Sequence, residues 1–197
     1  MSLENKISFD FDGTFIKQHT GLILAKEAIK YNRFNLPYFL KNFSTNARNI
    51  NKKNFYLSML ACVIKGFPYE KAKQIMGNVT LKKDIISRTI ESYLKKGQIK
   101  TKKGLAGITI LTYNDLDGVE YSLLAKENEL KRLGIYVEDV LASNFEKDFS
   151  KEGELVYNGN LKSIYKPDFL KNNLNIIHHD VNYPIELRGI LNFKVIY

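Results

Sequence analysis

Ile7-Ser8-Phe9-Asp10-Phe11-Asp12-Gly13-Thr14 decides the reading of this 197-residue chain. Residues 7–11 alternate apolar and polar side chains, the period of a short strand. Asp12-Gly13-Thr14 then supplies a turn signal. A strand that stops on two carboxylates, two residues apart, carries charge to the carboxyl end of a sheet. Open α/β sheets bind their ligands at that edge.

Outward from this stretch the pattern is helical. Leu22, Ile23, Ala25, Ala28 and Ile29 are predicted to form one apolar helix face. Leu36-Pro37 opens a second predicted helix over 36–43, and residues 55–64 form a third, strongly apolar one. Pro68 suits the first turn of a helix over 69–76. Leu81, Ile85, Ile86, Ile90, Tyr93 and Leu94 recur at helical spacing, and Gly97 suits the stop. No strand is predicted between Thr14 and Gly104.

The pattern changes at Gly107. Residues 107–112 form a compact apolar run, read as a buried strand. A helix is predicted over 116–133, stopping at Gly134, and a strand over 137–142. Residues 144–163 hold Gly153, Gly159 and alternating Leu155 and Tyr157, which predicts a hairpin. A short helix over 167–171, a strand over 175–179 ending at Asp180 and a last strand over 193–196 complete the chain. This alternation predicts the α/β class, a Rossmann-like, doubly wound parallel sheet. The first strand joins the same sheet, so the helices after it become an inserted all-helical cap. The expected boundaries are 1–16 and 80–197 for the core and 17–79 for the cap.

A hydrophobic fraction of 44%, with 12 Phe and 12 Tyr, is enough for a full core without covalent staples. The one cysteine, Cys62, excludes an intramolecular disulfide and reads as a small buried thiol in an apolar run. No leader pattern and no apolar run of membrane-spanning length is visible. A soluble protein of the reducing cytoplasm is expected. The net charge of +9 comes from lysines spread along the whole chain. A nucleic acid is therefore not the expected partner, whereas a positive field would draw in phosphorylated anions. Composition does not set the oligomeric state.

Asp10, Asp12, Thr112, Lys166 and Asp180 all fall at or near the carboxyl ends of predicted strands. Paired carboxylates divide labour: one attacks as a nucleophile and the other handles a proton. A carboxylate facing a phosphate dianion meets repulsion, which a hard cation such as Mg²⁺ relieves. Asp180 would complete the metal's protein ligands. Lys166 would neutralise charge at the phosphoryl group, with Lys162 as its rival for that place. Thr112 would donate a hydrogen bond to a phosphate oxygen. Positioning and charge stabilisation are what phosphoryl transfer mainly requires.

Phe9-Asp10-Phe11-Asp12-Gly13-Thr14 resembles the signature loop of the haloacid dehalogenase (HAD) superfamily, Asp-x-Asp-Gly-Thr after an apolar strand. Thr112 resembles its second motif, Lys166 the third and Asp180 the fourth. The order of elements is similar to the phosphoserine-phosphatase-like branch. The resemblance implies an aspartyl-phosphate on Asp10, acid/base work by Asp12, and Mg²⁺ held by Asp10, the Asp12 carbonyl and Asp180. Gly13, Thr14 and Asn114 join Thr112 as expected substrate contacts. Arg33, Arg48 or Lys65 in the cap could meet an acidic group of the substrate. The expected activity is Mg²⁺-dependent hydrolysis of a small phosphorylated metabolite.

The chain departs from the family pattern in three places. Pro184 stands where a second carboxylate usually follows Asp180, and neither Asn182 nor Glu186 has the usual spacing. Tyr113-Asn114 replaces a Gly-Gly pair. His178-His179 stands where small residues are usual; neighbours on a strand point to opposite faces, so the two would not chelate together. Two alternatives therefore stay open. One is a catalytically weak or inactive binding or regulatory protein of this fold. The other is a nucleic-acid-processing phosphatase.

Overall fold

β1 (Lys6–Asp10) is a central strand of a seven-stranded sheet, six of whose strands follow the order β5-β4-β3-β1-β6-β7 while the seventh, β2, pairs with β3 off this path. The computed structural model describes residues 6–32, 52–97, 99, 101–163, 174–178 and 194–195. β3 (Leu105–Asp115) and β6 (Leu174–His178) flank β1, both parallel to it. Asp10 pairs with Leu111, so the end of β1 lies one residue short of Thr112. β4 (Ile135–Phe149) runs parallel to β3, and β7 (Lys194–Val195) parallel to β6. The mostly parallel α/β sheet agrees with the sequence reading.

Burial explains why these segments are strands. Ile7 and Phe9 on β1 and Ile108 and Ile110 on β3 are fully buried, and the intervening Ser8 and Thr109 are buried too. A strand inside a parallel sheet has both faces covered, so its sequence reads as an almost continuous apolar run. Each of the Ile and Phe side chains removed from water contributes about 2 kcal/mol.

Between β1 and β3 come α1 (Thr20–Asn32), α2 (Lys52–Ile64), α3 (Tyr69–Gly77) and α4 (Lys83–Lys95). Buried Leu57, Leu60 and Ile64 of α2 and Ala72 and Met76 of α3 join the same hydrophobic core as β1 and β3. The ends of this helical segment are tied together. Lys17 N–H donates to the Thr80 carbonyl at 2.8 Å, and Lys82 N–H to the Phe15 carbonyl at 2.9 Å. The Gln18 side chain bonds Thr80 through both its amide atoms, at 3.2 and 2.9 Å.

Several expectations need correction. On α1 the buried hydrophobic side chains are Leu24 and Ala28, four apart, while Leu22 and Ile29 are 59% and 43% exposed. The periodicity allowed two overlapping apolar stripes, and the stripe that meets the core carries the smaller residue. Cys62 is half-buried, not buried. A short strand, β2 (Thr101–Lys102), precedes β3 and pairs with it antiparallel. Lys103 and Gly104 join the two with φ of 53° and 78°. Two consecutive positive φ values match the twist of a tight hairpin, but Lys-Gly is a weak sequence signal for it. The helix predicted over 116–133 is two helices, α5 (Leu116–Ala125) and α6 (Glu127–Arg132). Glu127 and Glu129 in the first turn of α6, and Lys131 and Arg132 in its last, favour a separate short helix through the helix dipole.

The predicted strand over 137–142 and the first arm of the hairpin are one strand, β4. Its later part turns to pair antiparallel with β5 (Leu155–Ser163). The predicted helices over 36–43 and 167–171 lie outside the described residues. Among the described residues no helix is long and apolar enough to cross a membrane.

Candidate active site

The chain leaves β1 through a single wide turn. Ile16 N–H donates to the Phe11 carbonyl at 3.0 Å, and Gly13 N–H to the Gln18 carbonyl at 3.0 Å. Asp12 stays extended at φ −72°, ψ 131°, and Gly13 takes φ 67°. Glycine adopts that left-handed conformation without the steric cost other residues meet. Phe11 and Phe15 are fully buried beneath the turn, their ring centroids 6.4 Å apart. The apolar residues anchor the turn, and Asp10 and Asp12 are half-buried beside them.

Asp12 is tied to two other elements. Thr20 Oγ1, at the start of α1, donates to Asp12 Oδ1 at 2.8 Å. Asn114 Nδ2, near the end of β3, donates to Thr20 Oγ1 at 2.8 Å. The Asn114 N–H in turn donates to Thr112 Oγ1 at 3.1 Å. Thr20 is fully buried, and Thr112 and Asn114 are 4% and 6% exposed. The fold therefore brings Asp10, Asp12, Gly13, Thr14, Thr112 and Asn114 to one sheet edge. Lys82 Nζ donates to the Gly13 carbonyl and ties α4 to the same turn.

Lys166, Asp180, Pro184, Asn182, Glu186, His179, Arg33 and Arg48 lie outside the described residues. Lys162 is exposed on β5, and Lys65 is exposed with its stem against Gly159. Among the described residues no cluster of three or more His, Cys, Asp or Glu side chains forms a metal cage. The Asp10 carboxylate and the Asp12 backbone carbonyl are hard oxygen donors of the kind Mg²⁺ prefers, and so fit that ion as part of a larger ligand set.

A second polar cluster adjoins this edge. Asp115, 3% exposed, accepts from Phe145 N–H at 3.2 Å and from Tyr157 Oη at 3.0 Å. Lys147 Nζ lies 3.2 Å from both Asp115 carboxylate oxygens and 2.7 Å from Asp117 Oδ2. Tyr69 and Tyr157 present their rings to the same ammonium at 4.9 and 5.4 Å. Burial, with the Asp115 charge added, pushes the Tyr157 hydroxyl well above its ordinary pKa. Burial and then Asp117 do the same for Tyr69. At Asp115 burial outweighs Lys147 and the hydrogen bonds, and its pKa is raised.

The sequence reading missed Thr20, Lys82 and this cluster. Thr20 carried a usable signal, because threonine is a common residue at helix starts. Lys82 and Lys147 carried none, since one lysine among many in a basic chain looks like solvated surface.

No protein-family model matches the chain, and no curated protein matches it. Solved structures do. A phospho-aspartyl intermediate analogue of phosphoserine phosphatase aligns with a TM-score of 0.52 at 16% identity, over 88% of this chain and 77% of that one. A substrate-bound phosphoserine phosphatase complex aligns at 0.50 and 15%, over 90% and 78%. A HAD family hydrolase from Salmonella enterica subsp. enterica serovar Typhi aligns at 0.52 and 13%, over 98% and 67%. At these identities the likeness establishes the fold. It is the α/β fold of the HAD hydrolases. More narrowly, it is the phosphoserine-phosphatase-like form of that fold.

Proposed function

We propose that this protein is a Mg²⁺-dependent phosphomonoesterase of the cytoplasm, acting on a small phosphorylated metabolite. One observation carries the proposal: Asp10 ends the central strand level with β3, and two residues later Asp12 is held by a buried hydroxyl at the same edge. A nucleophile and a proton carrier placed side by side are the minimum for hydrolysis through a covalent intermediate.

In this reading an Asp10 carboxylate oxygen attacks phosphorus, and the ester P–O bond breaks. Asp12 gives its proton to the departing oxygen, which leaves as an alcohol. Water then attacks the aspartyl-phosphate, and Asp12 takes back a proton from that water. Phosphate leaves and Asp10 is regenerated. Mg²⁺ held by Asp10, the Asp12 carbonyl and Asp180 would offset the repulsion between carboxylate and phosphate dianion. Thr112, Gly13 and Thr14 line the phosphate's place, and Lys166 neutralises its charge. The helical segment 17–79 serves as the cap that excludes water and selects the leaving group.

Asp10→Asn tests this directly. Hydrolysis of p-nitrophenyl phosphate in the presence of Mg²⁺ is expected to fall below detection while the thermal unfolding curve keeps its shape. An unchanged rate removes Asp10 from the mechanism.

A further inference from the structure

We infer that Thr20 and Asn114 form a directional hydrogen-bond chain that positions the Asp12 carboxylate. The inference rests on the phosphomonoesterase reading above and concerns the same site.

The argument starts from donor and acceptor chemistry. An amide nitrogen only donates, so Asn114 Nδ2, 2.8 Å from Thr20 Oγ1, occupies a lone pair of that hydroxyl. The hydroxyl has one proton, and it points to Asp12 Oδ1 at 2.8 Å. Thr20 Oγ1 therefore stands between Asn114 Nδ2 and Asp12 Oδ1, and holds that carboxylate oxygen in place. The Asn114 N–H bond to Thr112 Oγ1, at 3.1 Å, fixes the origin of the chain on β3.

The chain crosses three elements: the turn after β1, the start of α1 and the end of β3. Thr20 is fully buried and Asn114 is 6% exposed, so water does not compete for these bonds. Asp12, by contrast, lies within a wide turn and is only half-buried. Without the Thr20 bond its two side-chain torsions would sample several wells. Thr20 and Asn114 are thus positioning residues that act through Asp12. Asn114 has this part in addition to any contact with the substrate.

General acid catalysis gives a readout that simple loss of structure does not. A leaving group of low pKa departs without a proton, whereas a poor leaving group needs one. The experiment measures kcat/KM, which reports the steps up to leaving-group departure, for a series of substituted phenyl phosphates with Mg²⁺. Thr20→Val removes the hydroxyl and keeps the shape. It is expected to lose roughly 10- to 100-fold on the poorest leaving group and less than about 3-fold on p-nitrophenyl phosphate. Thr20→Ser is expected to restore the wild-type dependence. Asn114→Asp places an acceptor where the donor was, turns the Thr20 proton away from Asp12, and is expected to reproduce the Thr20→Val profile. The thermal stabilisation by Mg²⁺ is expected to be equal in wild type and Thr20→Val, which separates positioning of Asp12 from damage to the metal site.

A uniform loss across the series, or no loss, in Thr20→Val overturns the inference and leaves the phosphatase reading intact. If Thr20→Val does not fold, the same criterion applies to Asn114→Asp, and a steepening absent there overturns it. A wild type inactive on every substrate overturns both.

Discussion

Lys147 Nζ lies 3.2 Å from each carboxylate oxygen of Asp115, with the two side chains 9% and 3% exposed. The pair joins β4 to the end of β3, immediately beside the Thr112-Asn114 segment. A third partner, Asp117, is 43% exposed and contributes less, because solvent screens it. Buried ions of this kind are costly to leave alone, since each has lost its hydration.

Lys147→Ala strands the Asp115 charge with only Phe145 N–H and Tyr157 Oη beside it. The variant is expected to lose about 3 kcal/mol of unfolding free energy, measured by urea titration at pH 7. The double variant Lys147→Met, Asp115→Asn is expected to lose less than the single one. Additive losses would show that the two groups do not depend on each other.

Tyr157 gives the cluster a pH signature. Its folded pKa lies well above the ordinary value, so the neutral hydroxyl is favoured in the native state. Its contribution is complete below the unfolded pKa of about 10 and is lost as pH rises beyond it, because the unfolded chain ionises first. Tyr157→Phe also removes the bond to Asp115 and is expected to start about 1 kcal/mol below wild type at pH 7. The gap should close between about pH 10 and 11. A constant gap over that range would place the Tyr157 hydroxyl in ordinary solvent.

Gly13 at φ 67° predicts a residue-specific cost in the turn. Gly13→Ala is expected to lose about 1–2 kcal/mol, and Gly13→Asn less, because asparagine tolerates the left-handed region. Urea unfolding of the two variants checks the order. The Ala variant should also lose phosphatase activity, since the same turn sets the spacing of Asp10 and Asp12.

Metal linkage tests Asp180. Mg²⁺ at 100 times its dissociation constant stabilises a folded protein by about 2.7 kcal/mol if only the native state binds it. The Tm of the wild type is expected to rise with Mg²⁺ and fall back with EDTA. Asp180→Asn and Asp10→Asn should each remove most of the rise. A full shift retained in Asp180→Asn would take that residue out of the ligand set.

The parts of this protein legible in its residue order are those with local causes. An apolar run such as Ile108 to Leu111 becomes a buried strand because its aliphatic side chains gain by leaving water. Asp12-Gly13 makes a turn because glycine accepts a positive φ that other residues resist. The paired carboxylates and the resemblance of their loop are therefore legible in the residue order alone. Where two local solutions were nearly equal, the reading failed. Leu22 and Ile29 were as apolar as Leu24 and Ala28, and only the neighbours present on one side of α1 chose between them.

The support around the carboxylates had no local cause at all. Asn114 meets Thr20 across 94 positions, Lys82 meets Gly13 across 69, and Lys147 meets Asp115 across 32. These meetings depend on β3 lying beside β1, on the helical segment returning to its starting point, and on β4 extending past β3 to form a hairpin. Strand order and chain path set them, and hydrogen-bond direction follows only when both partners are in place. Asp10, Asp12 and their turn are written in eight consecutive residues, while the setting of the Asp12 side chain is a property of three elements packed together.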